Sequence, residues 1–179
     1  WQQDATPLRV GLDRAGQYYF NKINNKPTAI VEACQNNYTI LITDGFWTDN
    51  SNLLSSGISD NDGDGVSKTL ADVAYYYYKT DLSALSNVVI PTAFDPATWQ
   101  HMVTFTMAFG LTGNLVAGSD GWPTPALAIN GNWGNPFNDD LAKVDDLWHA
   151  AFNSKGNYFG AQNPASSGTA LASILSNIA

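Results

Sequence analysis

Asn37-Tyr38-Thr39-Ile40-Leu41-Ile42-Thr43-Asp44-Gly45 is the stretch on which the fold turns. Ile40, Leu41 and Ile42, flanked by β-branched Thr39 and Thr43, form a continuous apolar run of the kind found inside parallel sheets, so Thr39–Thr43 is expected to be buried on both faces. Gly45 lets the chain turn sharply and leaves the Asp44 carboxylate at the carboxyl end of the strand. Open α/β sheets hold ligands and metals at that edge. Asp44 is therefore read as a functional acid, with simple capping of the turn as the alternative.

On either side of this strand, helical and extended patterns alternate. Thr6-Pro7 opens a first helix, with Thr6 as N-cap and Pro7 at the first helical position, and Leu8, Leu12, Ala15 and Tyr19 follow on one stripe. Residues 46–68 are polar and turn-rich, an insertion rather than a core element. Leu70, Val73, Ala74 and Tyr77 mark a second helix. The run Tyr75 to Tyr78 wraps a whole helical turn, so some of these rings pack inward and others reach the surface. Val88-Val89-Ile90 reads as a short strand stopped by Pro91. His101 to Gly110 alternates Val103, Phe105 and Met107 with Thr104, Thr106 and Ala108, the pattern of a half-buried strand.

A second long loop spans 111–137. Asn138 or Asp139 then caps a helix carrying Leu141, Val144, Trp148, Ala151 and Phe152, which Gly156 can close. A short strand at 157–161 precedes a last helix lined by Leu171, Ile174, Leu175 and Ile178. Helix, strand, helix, strand, helix, strand, helix is the order of a doubly wound α/β sheet, mostly parallel.

The chain has 179 residues, suited to one domain, and 44% hydrophobic residues, enough for a core. A net charge of -8 with only 8 Lys and Arg argues against nucleic acid and suits divalent cations. No apolar run approaches the roughly 20 residues that span a bilayer. Neither a signal peptide nor an initiator Met is visible, so a mature segment or fragment is expected. Few basic residues, many Asn, Ser, Thr and Gly, and 12% aromatics suggest an extracellular surface protein. Cys34, the single cysteine, is either a buried small hydrophobe or seeks a partner outside these residues. His101 and His149 stand far apart with no second nitrogen or sulfur ligand near in sequence, so no zinc site is expected.

Two places could hold a cation. Thr6 and Asp44 sit at the exits of adjacent elements and offer a hydroxyl and a carboxylate, hard ligands suited to Mg²⁺. Asp60-Asn61-Asp62-Gly63-Asp64-Gly65 places carboxylates at alternate positions before glycine, the opening half of a calcium loop. Asp60, Asp62 and Asp64 are the expected Ca²⁺ ligands, and Asp72 a further carboxylate one residue beyond the usual closing position. An ordinary acidic loop leading into a helix is the alternative. In the second loop Trp122, Trp133 and Phe137 either recognise a partner or fold inward as a satellite core.

Thr6-Pro7-Leu8 before a helix and Ile42-Thr43-Asp44-Gly45 closing a strand resemble a von Willebrand factor A domain. The segments 70–77, 79–82, 99–105, 147–151, 153–156 and 158–159, in this order, are together similar to the amino-terminal region of PilY-type type IV pilus tip adhesins. The resemblance implies a surface binding and pilus-assembly protein with minor pilins and a surface or host receptor as partners. It also implies a metal-ion-dependent adhesion site in which Thr6 and Asp44 are the matching ligands. The Asp-x-Ser-x-Ser loop of that site is absent, because it belongs to a first, central strand that would precede Trp1. The remainder of the polypeptide, or another chain, is expected to supply that strand; a carboxy-terminal propeller is also absent.

Three functions compete at this point. One is a metal-assisted, non-catalytic adhesion and assembly module of a pilus tip. Another is a surface glycan hydrolase using paired carboxylates. The third is a purely structural calcium-stabilised domain.

Overall fold

A computed structural model of the chain describes residues 6–118, 121–124, 126–161 and 163–178. Three strands, β1 (Asn37–Thr43), β2 (Met102–Phe109) and β3 (Tyr158–Ala161), alternate with four helices, α1 (Leu8–Tyr19), α2 (Leu70–Lys79), α3 (Asp140–Asn153) and α4 (Pro164–Ile178). The strands form one parallel sheet in the order β1-β2-β3. Leu8 and Leu12 of α1, Leu70, Val73, Ala74 and Tyr77 of α2, and Val144, Leu147 and Ala150 of α3 share one core with Met102 and Ala108 of β2. On the opposite face Val103 and Phe105 meet Ile174 of α4. The chain is thus α/β with helices on both faces of its sheet, as the alternation of patterns predicts.

Burial of the first two strands is the reverse of the expectation. Among the described residues β1 pairs only with β2, so it is an edge strand. Tyr38 to Leu41 are half-buried and Ile42 is 52% exposed. The alternating strand, β2, lies in the middle and is buried on both faces from Met102 to Ala108. On its polar side Thr106 Oγ1 donates to the carbonyl of Leu147 at 2.8 Å and the Thr104 backbone amide donates to Ser154 Oγ at 3.1 Å, while the buried Thr104 hydroxyl has no hydrogen-bond partner among the described residues. A hydroxyl that is hydrogen-bonded inside costs little to bury, which a binary pattern cannot register.

Smaller expectations also shift. Pro7, not Thr6, occupies the N-cap of α1, and no side chain caps that helix. Val88–Ile90 forms no strand; Val89 is buried, its amide donating to the carbonyl of Thr98, while Ile90 is 76% exposed. Leu141, Leu171 and Leu175 face outward, and α4 packs chiefly through Ala170 and Ile174. Cys34 is a free, exposed thiol rather than a buried one. At the end of α3, Lys155 takes φ +63° and Gly156 follows, where a Cβ would lie 2.0 Å from the carbonyl oxygen of Thr104. Only glycine lets the chain pass so close to β2.

The 46–68 segment lies outside the sheet yet belongs to the core. Trp47 and Ile58 are buried in the main cluster. Arg9, 1% exposed, bonds Asp49 Oδ1 through Nε at 3.0 Å and the carbonyl of Lys68 through a terminal nitrogen at 2.8 Å. Its guanidinium lies 4.0 Å from the Trp47 ring centroid. Removing one partner from such a buried pair costs about 3–5 kcal/mol, because the other charge is stranded. Asp13 fastens the same segment by accepting from the Ser55 amide and hydroxyl and from the Tyr77 hydroxyl at 2.6 Å.

Candidate metal centre

The sequence between Ser59 and Thr69 has too few apolar residues to hold a shape by packing, so its aspartates organise it. Asp60 accepts from the amides of Gly63 and Gly65, both with positive φ, and Asp64 accepts from the Val66 amide at 2.7 Å. These turns bend the loop so that successive carboxylates face one another. Asp72, three residues into the cap of α2, accepts from the amide and hydroxyl of Thr69, whose own hydroxyl accepts from the Asp72 amide. Such a reciprocal box stabilises a helix start by about 1 kcal/mol. The other oxygen of Asp72 accepts from the Asn61 amide and so reaches back into the loop.

The floor beneath the loop is α3. Asp146, His149 and Asn153 recur at helical spacing and face the loop and the start of α2. Asp146 accepts from the amides of Leu70 and Ala71 and from the Trp47 indole, and burial pushes its pKa up to about 7. Asn153 Nδ2 donates to Asp62 Oδ2 at 2.7 Å. His149 Nε2 lies 2.7 Å from the carbonyl of Ile129 and 3.4 Å from Asp62 Oδ2, while its Nδ1 lies 4.0 Å from Asp64 Oδ2. Trp133 stacks flat on the imidazole, with centroids 4.4 Å apart and planes within 6°.

Two overlapping groups of side chains are therefore close enough to share an ion: Asp60, Asp62 and Asp72, and Asp62, Asp64 and His149, each with ligand atoms within 4.8 Å of one another. Asp62 and Asp64 have side chains only 0% and 5% exposed. Among the described residues none of these four carboxylates forms an ion pair with Lys or Arg. Burial first, then the neighbouring Asp72 and Asp64 carboxylates, pushes the Asp62 pKa up to about 7. Asp64 and Asp72 are also raised, chiefly by burial. Burial lowers His149 to about 4, so the imidazole is neutral. Several buried acids beside a neutral base form a site that lacks positive charge, the electrostatic condition a divalent cation meets.

The other candidate pair lies at the exit of β1. The Thr6 hydroxyl sits 3.6 Å from where a Cβ on Gly45 would stand, its amide donates to Thr48 Oγ1 at 3.0 Å, and Asp44 is exposed. Thr6 is thus beside the turn that follows Asp44, and its hydroxyl makes no helix-capping bond.

The aromatic residues of the second loop divide. Trp133 is 3% exposed and stacks on His149, the inward-folded arrangement that the sequence allows beside a recognition role. Trp122 packs edge-on against Phe152 at 5.2 Å and is half-buried. Phe137 packs edge-on against Trp47 at 5.4 Å and remains 47% exposed. His149 and Asn153 are the site residues that sequence reasoning missed. They lie some 90 residues from the acidic loop, and their only signal is a spacing of four on a helix, which any core face shares.

No family model matches the chain, and no solved structure matches it. Among the described residues no helix is long and apolar enough to cross a membrane. Curated relatives do match. The type IV pilus biogenesis factor PilY1 of Pseudomonas aeruginosa strain PAO1 is 35% identical over an alignment of 219 residues that takes in 97% of this chain. The proteins of the same name from strains PAK and UCBPP-PA14 are 34% and 32% identical over the same share. The chain spans 19% of the length of these relatives. Over nearly its whole length, then, this chain is similar to one region of PilY1.

Proposed function

We propose that the chain is a non-catalytic adhesion and assembly module at the tip of a type IV pilus, exposed at the cell surface and assisted by divalent cations. The observation that carries this reading is the 35% identity to a pilus biogenesis factor across 97% of the chain. Its partners on this reading are the minor pilins of the tip and a surface or host receptor. The fold is read as a von Willebrand factor A type in which a further strand lies beside β1. Among the described residues the outer edge of β1 has no partner, which supports this reading, since an open row of backbone donors and acceptors is a template for another strand. That strand comes from the rest of the polypeptide or from another chain, and its loop completes an Mg²⁺ site with Thr6 and Asp44.

The acidic loop is the Ca²⁺ site of this module, held by Asp60, Asp62 and Asp64 with Asp72. Here the structural role has a specific observation in its favour: Asp62 and Asp64 are turned inward, so an ion on them faces α3 rather than a receptor. Replacing the chromosomal copy by one lacking this region tests the proposal. Loss of surface pili and of adhesion is the expected outcome. Unchanged pilus number and unchanged adhesion would overturn it.

A further inference from the structure

The acidic loop does not close on itself, because two side chains of α3 enter it and one of them is chemically incomplete. Asn153 is 0% exposed; its Nδ2 serves Asp62, while its Oδ1 has no hydrogen-bond partner. A buried, unpaired carbonyl oxygen beside a carboxylate is costly unless something positive is shared between them. His149 shows the complementary feature. Its Nε2 faces the carbonyl of Ile129 at 2.7 Å, which fixes the proton there and leaves Nδ1 as a bare lone pair, 4.0 Å from Asp64 Oδ2. A backbone carbonyl holding one ring nitrogen so that the other can bind is the usual second support of a metal-ligating histidine. The Trp133 ring stacked on the imidazole prevents it from turning away.

We infer that Asp62, Asp64, His149 Nδ1 and Asn153 Oδ1 form a divalent transition-metal site, of the Mn²⁺ or Zn²⁺ class, adjoining the all-carboxylate Ca²⁺ group and sharing Asp62 with it. The inference rests on the Ca²⁺ reading only for that shared residue. Two ligands at about 2.1 Å from one metal lie about 3 Å apart at a right angle and about 4.2 Å apart when opposite. The 4.0 Å between His149 Nδ1 and Asp64 Oδ2 falls in that interval, and the ligand atoms offered by Asp62, Asp64 and His149 all lie within 4.8 Å of one another. The unpartnered Asn153 Oδ1 belongs to the same buried amide that donates to Asp62 Oδ2, so it lies beside that carboxylate as a further oxygen donor. An imidazole nitrogen among the donors selects against Mg²⁺ and Ca²⁺, which prefer oxygen, and in favour of borderline ions. The ion ties a loop at 60–65 to a helix at 140–153, two segments that otherwise meet through a single side-chain amide at Asp62 and two long histidine contacts.

The test uses the intact protein. Crystals grown with Zn²⁺, and separately with Mn²⁺, are examined for anomalous scattering, and titrations with Zn²⁺ and with Ca²⁺ compare wild type, His149→Gln and Asp60→Asn. The inference predicts an anomalous peak at bonding distance from His149 Nδ1. It also predicts at least about a tenfold loss of Zn²⁺ affinity in His149→Gln with Ca²⁺ affinity held within about twofold. Asp60→Asn should weaken Ca²⁺ and spare Zn²⁺. A Zn²⁺ peak bound only by carboxylates, no peak at all, or equal Zn²⁺ affinity in His149→Gln would overturn it. Should Ca²⁺ fail to bind while Zn²⁺ seats on His149, the Ca²⁺ reading falls and this site stands.

Discussion

Asp62 and Asp44 are both aspartates in polar turns beside a regular element, yet one has been drawn inside and the other left in solvent. Asp62 is met by Asn153 and by His149, on whose ring Trp133 stacks, and burial pushes its pKa up to about 7. Asp44 stands at the open end of an edge strand with the Thr6 hydroxyl close to the next residue. The difference teaches where a bound ion acts. An ion at the first place joins two distant segments of the chain and affects stability. An ion at the second has little of this chain to hold together, so its effect lies in what it binds.

Trp133→Ala removes the ring stacked on His149 and should have the largest effect. Removing a buried tryptophan costs about 3–5 kcal/mol, read as a lower midpoint in denaturant. A loss under about 1 kcal/mol would mean that the ring does not hold His149 in place, and the contrast with the exposed site would weaken. Trp133→Phe, which keeps a ring on the imidazole, should recover most of the loss.

The pH profile sharpens the comparison next. In cation-free protein the folded state holds a proton on Asp62 up to about 7, whereas the unfolded chain releases it near the ordinary aspartate value of 3.8. The folded state therefore carries more protons across that window, and stability falls as pH rises through it, by up to about 1.4 kcal/mol per pH unit for one proton. The raised Asp64, Asp72 and Asp146 act in the same direction, and the lowered His149 acts in the opposite one between about 4 and its ordinary value of 6.5. Saturating Ca²⁺, which favours the carboxylates, should flatten the slope, and so should Asp62→Asn. A cation-free profile that rises between pH 4 and 7 would contradict the buried site.

Phe137→Ala should cost about 1 kcal/mol, the scale of its edge-on contact with Trp47. Its exposed face suits a partner, so adhesion should fall by more than stability does. Asp44→Ala should change stability least, within about 0.5 kcal/mol as for most surface substitutions, while weakening Mg²⁺-dependent ligand binding by the intact protein. If Asp44→Ala instead lowers the melting temperature as much as Asp62→Asn, the two sites do not differ as described.

Much of the fold was legible because helix and strand periods are local. Leu70, Val73, Ala74 and Tyr77 appear on the buried face their spacing predicts, and Asp139 caps α3. Sheet order is not local. The Ile40–Ile42 run reads as a central strand, whereas the threonines of β2 conceal one, since Thr106 can be buried only once Leu147 offers its carbonyl. The candidate metal centre was half legible on the same grounds. Asp60, Asp62 and Asp64 announce themselves by spacing within six residues, but His149 and Asn153 enter through tertiary packing of α3. Trp133 likewise read either as a partner-facing or as an inward ring, and only tertiary packing supplies its stacking partner, His149.

The most direct test is calorimetric unfolding of the intact protein with Ca²⁺, with chelator, and for Asp62→Asn under both conditions. An ion bound only by the folded form adds about 2.7 kcal/mol at one hundred times its dissociation constant, which for a region of this size raises the transition by roughly 5–10 °C. The account predicts that rise for wild type and its loss in Asp62→Asn. A transition at the same temperature with Ca²⁺ and with chelator, or a rise that survives in Asp62→Asn, would contradict it.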